Sequence, residues 1–124
     1  MTGSTICKEK FEQLRACVII PTYNNETTLA GVITDVAGYT DHIIVVNDGS
    51  TDNTKSIIDK HSFVQQISYE KNVGKGWALR KAFAYATAKG YKYAITIDSD
   101  GQHFAKDLPA FIEKLETEPN AIII

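Results

Sequence analysis

Short apolar runs recur along this chain, and each is followed by a polar loop and a helical pattern. The runs at 16–20, 43–47 and 93–97 predict strands, and 64–69 predicts a weaker third strand between them. A strand that is apolar on both faces belongs in a sheet covered by helices on both sides. Strands that alternate with helices predict right-handed crossovers between parallel strands. We therefore expect an α/β fold, a three-layer α/β/α arrangement around a mostly parallel sheet.

Helical patterns lie between these runs. One face of the first predicted helix is apolar, at Leu29, Val32, Ile33 and Val36. Residues 50–52 predict a cap for a second helix that ends at about Lys60. A third helix, from about Gly76 to a terminal Gly90, is expected to bury Leu79, Ala82, Phe83 and Ala86. Asp107 is expected to cap a short helix that carries Phe111, Ile112 and Leu115.

Size and charge limit the classes of protein to consider. A chain of 124 residues forms one domain at most, and its formal net charge of −2 gives no reason to expect a nucleic-acid partner. Cys7 and Cys17 are the two cysteines, and Cys17 lies within an apolar run, which favours a buried thiol over a disulfide. No signal peptide or apolar run of the ~18 residues that span a membrane is present, so we expect a soluble, cytoplasmic protein.

The two ends of the chain differ in character. Residues 1–15 are mixed polar and charged and are expected to form an N-terminal extension to a domain at 16–124. The apolar run 121–124 predicts a further strand at which the chain stops, as in a truncated domain that continues beyond it. A sheet cut at such a strand exposes an unpaired apolar edge, which predicts self-association.

Two carboxylates follow the last of the four predicted strands. Because side chains alternate along an extended chain, Asp98 and Asp100 are expected to point the same way. Two hard oxygen donors at a strand end suit Mg²⁺ or Mn²⁺ that carries a phosphorylated ligand. Gln102 continues the same spacing, so its carbonyl oxygen is a further candidate ligand. The alternative interpretation is a solvated acidic turn.

Three earlier loops are expected at the same edge of the sheet, beyond the carboxyl ends of the strands, where ligands bind in such folds. In the first, Pro21 fixes the loop, Tyr23 offers a ring for stacking, and either Asn25 or Glu26 can bond a base or ribose. The alternative for this loop is a simple strand-to-helix turn with an asparagine cap. In the second, Asp48 is placed to accept from a uracil or guanine N–H, or else only supports the turn.

The third loop places Lys75 between two glycines at the start of a helix. Backbone N–H groups and one ammonium can then approach a diphosphate. Nearby Trp77 and Arg80 are more often packing and surface residues than ligands, and most of the basic residues at 71–92 fit a solvated helix face.

In this order, the four loops resemble the N-terminal, donor-binding half of family 2 glycosyltransferases with the GT-A fold. The matching segments are 18–24, 45–52, 72–76 and 98–103. The Asp-x-Asp-x-Gln-His version of the last one looks like the dolichol- or polyprenyl-phosphate hexose synthase branch. Asn25 departs from the pattern, since many relatives carry Glu there, which leaves the base or ribose contact of this loop open.

The resemblance implies a site for a nucleoside-diphosphate sugar, either a UDP- or a GDP-sugar. Pro21, Tyr23 and Asp48 would hold the base, and Lys75 would lie near the diphosphate. Asp98 would face the ribose or the water shell of a Mg²⁺ or Mn²⁺ ion. Ligands of that ion would come from Asp98, Asp100 and Gln102.

The reaction implied is inverting transfer of a hexose to a polyprenyl phosphate or a glycan acceptor. The full protein would then work in the cytoplasm, with the inner face of the membrane as one expected location. The catalytic base and the acceptor residues would come from the half that follows. Two alternatives stay open: a nucleotidyltransferase, which should carry a Gly-rich, Arg-containing loop after the first strand, and a non-catalytic nucleotide-binding module.

Overall fold

The computed structural model describes residues 3–100 and 105–117. Within this part of the chain, four parallel strands form one sheet in the order β3-β2-β1-β4. The strands are β1 (Ala16–Thr22), β2 (Ile43–Asp48), β3 (Gln65–Tyr69) and β4 (Tyr93–Thr96). The helices are α1 (Gly3–Leu14), α2 (Leu29–Ala37), α3 (Thr54–Lys60), α4 (Lys75–Ala88) and α5 (Leu108–Thr117), with a 3₁₀ turn (Ala105–Asp107) before α5. The predicted α/β class with a parallel sheet is confirmed.

Each face of the sheet supports its own hydrophobic core. On one face, alternate residues of β1 and β2 such as Val18 and Val45 pack with α1, α2, α3 and α5 in a larger core. On the other face, the residues between them, such as Ile19 and Ile44, pack against α4 in a smaller core. Every residue of β1 and β2 is buried, which explains why both strands lack the polar alternation of a half-exposed sheet.

The strand order fixes where a ligand can enter. The chain passes from β1 to β2 and β3 in one direction, then returns to place β4 on the other side of β1. The register runs from Ala16 opposite Tyr93 to Ile19 opposite Thr96. In α/β sheets a ligand crevice lies outside the carboxyl ends of the strands, at the point where the strand order reverses. The loops after β1 and β4 therefore border this crevice.

The first helix belongs to the core. Residues 3–14, within the segment predicted as an N-terminal extension, form α1, and Cys7 and Phe11 pack fully buried in the larger core. These two residues are four apart, so they share one helix face. The domain boundary at residue 16 stays a prediction, although the packing of α1 argues for including this helix with the sheet.

One predicted core residue is wrong. Phe83 is 44% exposed, and Ala78 is buried in its place with Ala82 and Ala86. The three alanines recur every four residues, so they form one small-residue stripe that lets α4 approach the sheet closely. Phe83 follows Ala82 by one position, about 100° around the helix, and is turned away from that stripe. Leu79 is partly buried beside the stripe.

Both cysteines are free and buried, as predicted. Burial raises the pKa of the Cys17 thiol to about 12 and also raises the pKa of Cys7. In the described residues, no helix has both the length and the apolar character that crossing a membrane would require. The predicted strand at 121–124 lies outside the described residues.

The turn after β2 requires a glycine. Gly49 adopts φ +68°, and a Cβ atom there would clash with the backbone of Lys71 and Asn72. We expect Gly49→Ala to lower the free energy of unfolding by roughly 2–4 kcal/mol, because it combines a left-handed backbone with a backbone clash. Urea denaturation followed by circular dichroism measures this loss.

Gly76→Ala is the matched control. Gly76 lies in the first turn of α4, where an added methyl group would meet no atom within 4 Å and the backbone has no positive φ. Its replacement should leave stability unchanged or raise it by less than about 1 kcal/mol, because alanine favours the helix. Equal effects of the two substitutions would contradict the close approach of the turn to residue 72.

Candidate functional site

A cavity of about 330 Å³ opens at the carboxyl edge of the sheet. Its lining comes from the loops after β1, β2 and β4 and from the start of α4. Seven of the eight predicted site residues line it: Pro21, Tyr23, Asn25, Asp48, Lys75, Asp98 and Asp100. The eighth, Gln102, lies outside the described residues. The fold thus brings together side chains that are up to 79 positions apart in the sequence, from Pro21 to Asp100.

The loop after β1 is tied to the loop before α3. Asn24 adopts φ 51°, a left-handed conformation that asparagine tolerates. Its Oδ1 accepts from the backbone N–H groups of Thr51 at 2.8 Å and Asp52 at 3.3 Å. The carboxylate of Glu26 accepts from the N–H of Asn53 at 3.3 Å. Of the two candidates for a base or ribose contact in this loop, Glu26 bonds the start of α3. Asn25 lines the cavity, and its Oδ1 is also engaged within the protein.

A buried hydrogen-bonded bridge joins the ends of β1 and β4. Ser99 is 3% exposed, and its Oγ lies 2.7 Å from Asn25 Oδ1 and 3.0 Å from the Pro21 carbonyl oxygen. Asn25 Oδ1 also accepts from the Tyr23 backbone N–H at 3.2 Å, which fixes the orientation of the amide. Because Ser99 is buried between the exposed Asp98 and Asp100, it holds the acidic segment against the loop after β1.

Sequence reasoning missed the role of Ser99. The alternation of side chains along an extended chain predicted that Asp98 and Asp100 point the same way. The same alternation points the side chain between them, Ser99, in the opposite direction, which could have indicated that it is buried. The hydrogen-bond acceptor of Ser99 could not be predicted, because Asn25 precedes Ser99 by 74 positions in the sequence.

Asp48 supports the neighbouring loop, which is one of the two roles that the sequence left open. It lines the cavity but is only 4% exposed, and its carboxylate holds the loop before α4. Oδ1 accepts from the Val73 N–H at 2.9 Å, and Oδ2 accepts from the Gly74 N–H and from Asn72 Nδ2, each at 2.9 Å. The adjacent Tyr69 hydroxyl is buried and has no hydrogen-bond partner within residues 3–100 and 105–117. Burial and then the Asp48 carboxylate raise the pKa of Tyr69.

Lys75 and Asp98 form an ion pair at the cavity. The ammonium lies 2.5 Å from Asp98 Oδ1, and the two side chains are 59% and 51% exposed. An ion pair this exposed contributes little to stability, typically less than about 1 kcal/mol. A charged ligand can therefore replace it at low cost, with a phosphate on the lysine and a cation on the aspartate.

The residues present fit a divalent metal that is shared with a ligand. Asp98 and Asp100 both line the cavity and carry carboxylate oxygens. Mg²⁺ is commonly held by one or two carboxylates together with substrate phosphates and water. Across the part of the chain that the structure describes, no three His, Cys, Asp or Glu side chains form a cluster able to hold a metal. The two aspartates therefore suit an ion that a phosphorylated ligand helps to bind.

The parallel sheet with a cavity at its reversal defines an α/β domain that binds a ligand at the carboxyl ends of its strands. The family model of glycosyl transferase family 2 matches residues 17–124. The chain belongs to this family, which confirms the resemblance drawn from its four loops.

Similar proteins include both functionally named and uncharacterized relatives. An uncharacterized protein of Methanocaldococcus jannaschii is 38% identical over 104 residues, which cover 79% of this chain and 45% of that protein. The UDP-N-acetylglucosamine–dolichyl-phosphate N-acetylglucosaminyltransferase of Methanococcus voltae is 29% identical over 124 residues, with coverages of 86% and 49%.

Solved structures show the same fold. Glucosyl-3-phosphoglycerate synthase from Mycobacterium tuberculosis, in complex with Mn²⁺ and UDP-glucose, superposes with a TM-score of 0.74 at 25% identity. The match covers 93% of this chain and 44% of the synthase. This chain thus spans less than half the length of each of these three proteins.

The Ser99 bridge makes a prediction about stability. Ser99→Ala removes the single hydroxyl proton for which the Pro21 carbonyl oxygen and Asn25 Oδ1 are alternative acceptors, so we expect a loss of roughly 0.5–1.5 kcal/mol in the free energy of unfolding. Ser62→Ala removes a hydroxyl from an exposed position outside the cavity and should change little. Urea denaturation measures the free energy of unfolding of both variants. Equal values for Ser99→Ala and Ser62→Ala would refute the stabilising role assigned to the bridge.

Proposed function

We propose that this chain is the donor-binding half of a metal-dependent, inverting hexosyltransferase. In this proposal, a UDP- or GDP-sugar occupies the cavity and the hexose passes to a polyprenyl phosphate. The observation that carries the proposal is the convergence of seven predicted side chains, from loops distant in sequence, on one cavity at the sheet reversal. Membership of glycosyl transferase family 2 supports it.

The base is proposed to bind between Tyr23 and Asp48. Tyr23 is 46% exposed, so its ring is available for stacking against a base. Asp48 Oδ2 already accepts two hydrogen bonds, whereas Oδ1 accepts one. A carboxylate oxygen accepts about two hydrogen bonds, so Oδ1 retains capacity for an N–H of uracil or guanine.

The diphosphate is proposed to lie at the start of α4. Gly74, with φ +119°, precedes the helix without a side chain, and Lys75 begins it. Free backbone N–H groups at a helix start and the lysine ammonium both favour an anion here. Asp98 and Asp100 would hold the divalent ion on the other side of the phosphates. Such an ion offsets the charge that builds on the departing nucleoside diphosphate.

A lipid phosphate suits this site as acceptor. A phosphate monoester has a second pKa of about 6, so near neutral pH it is already anionic and needs no proton removed. A sugar hydroxyl acceptor would instead need a general base to remove its proton. The relative from Methanococcus voltae is named for a dolichyl-phosphate acceptor, which supports the same choice. Inversion requires the acceptor to approach the sugar from the face opposite the diphosphate.

Calorimetric titration of this chain with UDP and GDP, with and without Mn²⁺, tests the donor site. We expect Mn²⁺ to tighten binding of one nucleotide at least tenfold, about 1.4 kcal/mol. Asp100→Asn should abolish this gain, because it removes a charged oxygen ligand of nearly the same shape. Asp59→Asn removes an exposed carboxylate from α3, away from the cavity, and should preserve the gain.

Nucleotide binding that is indifferent to both Mn²⁺ and Asp100 would overturn the metal role. The absence of any nucleotide binding would overturn the donor site itself. Transfer of a radiolabelled hexose to polyprenyl phosphate by the longer protein would then separate the transferase from a non-catalytic binding module.

A further inference from the structure

The charge of this chain is unevenly distributed. Residues 71–92 contain six of the 13 Lys and Arg and none of the 15 Asp and Glu. The segment therefore carries +6, and the remaining residues, with seven basic and fifteen acidic side chains, carry −8. It comprises α4, the loop before it and the turn that leads to β4. A chain whose net charge is only −2 thus presents one strongly basic element.

The same segment exposes large apolar side chains. The described residues contain six exposed large hydrophobic side chains, and three of them lie here: Val73, Trp77 and Phe83. Their exposed fractions are 54%, 42% and 44%. The sheet-facing stripe of α4 is made of alanine, so its large apolar groups point elsewhere. A merely solvated helix face would carry charge without this apolar content.

The basic and apolar groups are interleaved. Arg80 and Lys81 are exposed on α4, and the Lys81 ammonium lies 5.0 Å from the centre of the Trp77 ring. Positive side chains beside exposed tryptophan and phenylalanine are typical of surfaces that settle at the boundary between lipid headgroups and acyl chains.

This surface adjoins the cavity. Gly74 and Lys75, at the start of α4, line the cavity, and they lie between Val73 and Trp77 in the sequence. Tyr23, a further exposed large side chain, lines the same cavity. A partner bound to the outer face of α4 would therefore lie beside the cavity entrance.

We propose that Val73, Trp77, Arg80, Lys81 and Phe83 form a docking surface for an anionic membrane. We call these five residues the α4 docking surface. Basic side chains attract the acidic headgroups, and Trp77, Phe83 and Val73 enter the interface. The −8 charge on the rest of the chain orients α4 toward the lipid, because the other surfaces are repelled. This inference rests on the proposed function and deepens it, since it would present the cavity to an acceptor phosphate at the bilayer surface.

Vesicle binding of this chain tests the surface directly. Trp77 is the only tryptophan, so its fluorescence reports on this surface alone. We expect vesicles of phosphatidylcholine with phosphatidylglycerol to bind at least tenfold more tightly than vesicles of phosphatidylcholine alone. Binding should shift the Trp77 emission to shorter wavelength, and high salt should reverse it by screening the charges.

Matched charge removals locate the binding. The double variant Arg80→Gln and Lys81→Gln should weaken binding to the anionic vesicles at least tenfold. The control variant Lys55→Gln and Lys60→Gln removes the same charge from exposed positions on α3 and should bind as the parent does. Phe83→Ser should weaken binding while leaving the net charge unchanged. Circular dichroism of each variant verifies that its fold is retained.

Several outcomes would overturn the inference. Equal binding to neutral and anionic vesicles, or an equal loss in both double variants, would exclude a docking role for α4. Tighter binding to a single-stranded oligonucleotide that displaces the vesicles would assign the basic face to nucleic acid instead. UDP titration of the same samples distinguishes failure of the donor-site proposal from failure of the membrane-docking proposal. If nucleotide binding is intact and vesicle binding is absent, only the α4 docking surface is rejected.

Discussion

The hydrogen bonds of Ser99 hold together the two halves of the candidate site. β1 and β4 are neighbours in the sheet, and the spacing between the loops that follow them sets the width of the cavity that both loops line. Ser99 Oγ, bonded at 2.7 Å to Asn25 and lying 3.0 Å from the Pro21 carbonyl oxygen, sets that width from inside the protein. The two aspartates beside it can then be exposed to a ligand while the backbone that carries them is anchored. Ligand groups that stay still need such support from residues that never touch the ligand.

Asp48 has a comparable supporting role at the other side of the cavity. A carboxylate that is 4% exposed must be satisfied by donors, and here two backbone N–H groups and an asparagine amide supply them. These donors belong to the loop that starts α4, so the residue proposed to read the base also fixes the loop proposed to bind the diphosphate. A substitution at Asp48 would consequently disturb both parts of the site, and loss of binding in such a variant would not by itself show contact with the base.

The sequence predicted the elements and the cavity residues more reliably than their internal contacts. Strands and helices follow from periodicity, and parallel strands bring their following loops to one edge, so the convergence of Asp48, Lys75 and Asp98 could be anticipated. The prediction that Phe83 is buried was wrong because apolar spacing locates the buried face of a helix only approximately. The alanine stripe of α4, and not Phe83, contacts the sheet. The packing of α1 was missed because its buried face carries only Cys7, Phe11 and the partly buried Leu14, within a segment that is otherwise largely polar. Partners such as Ser99 and Asn25 are set by tertiary distances that no local pattern encodes.

The alanine stripe has a consequence beyond packing. A helix that packs large side chains against a sheet lies farther from that sheet, and its large apolar residues are buried. The helix α4 instead covers the smaller core with Ala78, Ala82 and Ala86. Its tryptophan and phenylalanine are thereby left at the surface among basic residues, where they add nothing to the core of this domain. Exposed aromatic groups carry a solvation cost that a partner can relieve. Since α4 also begins at the cavity, the proposed diphosphate contact and the proposed membrane contact lie on one rigid helix. The position of the donor relative to a bilayer would then be fixed by the helix itself and would need no flexible link between the two.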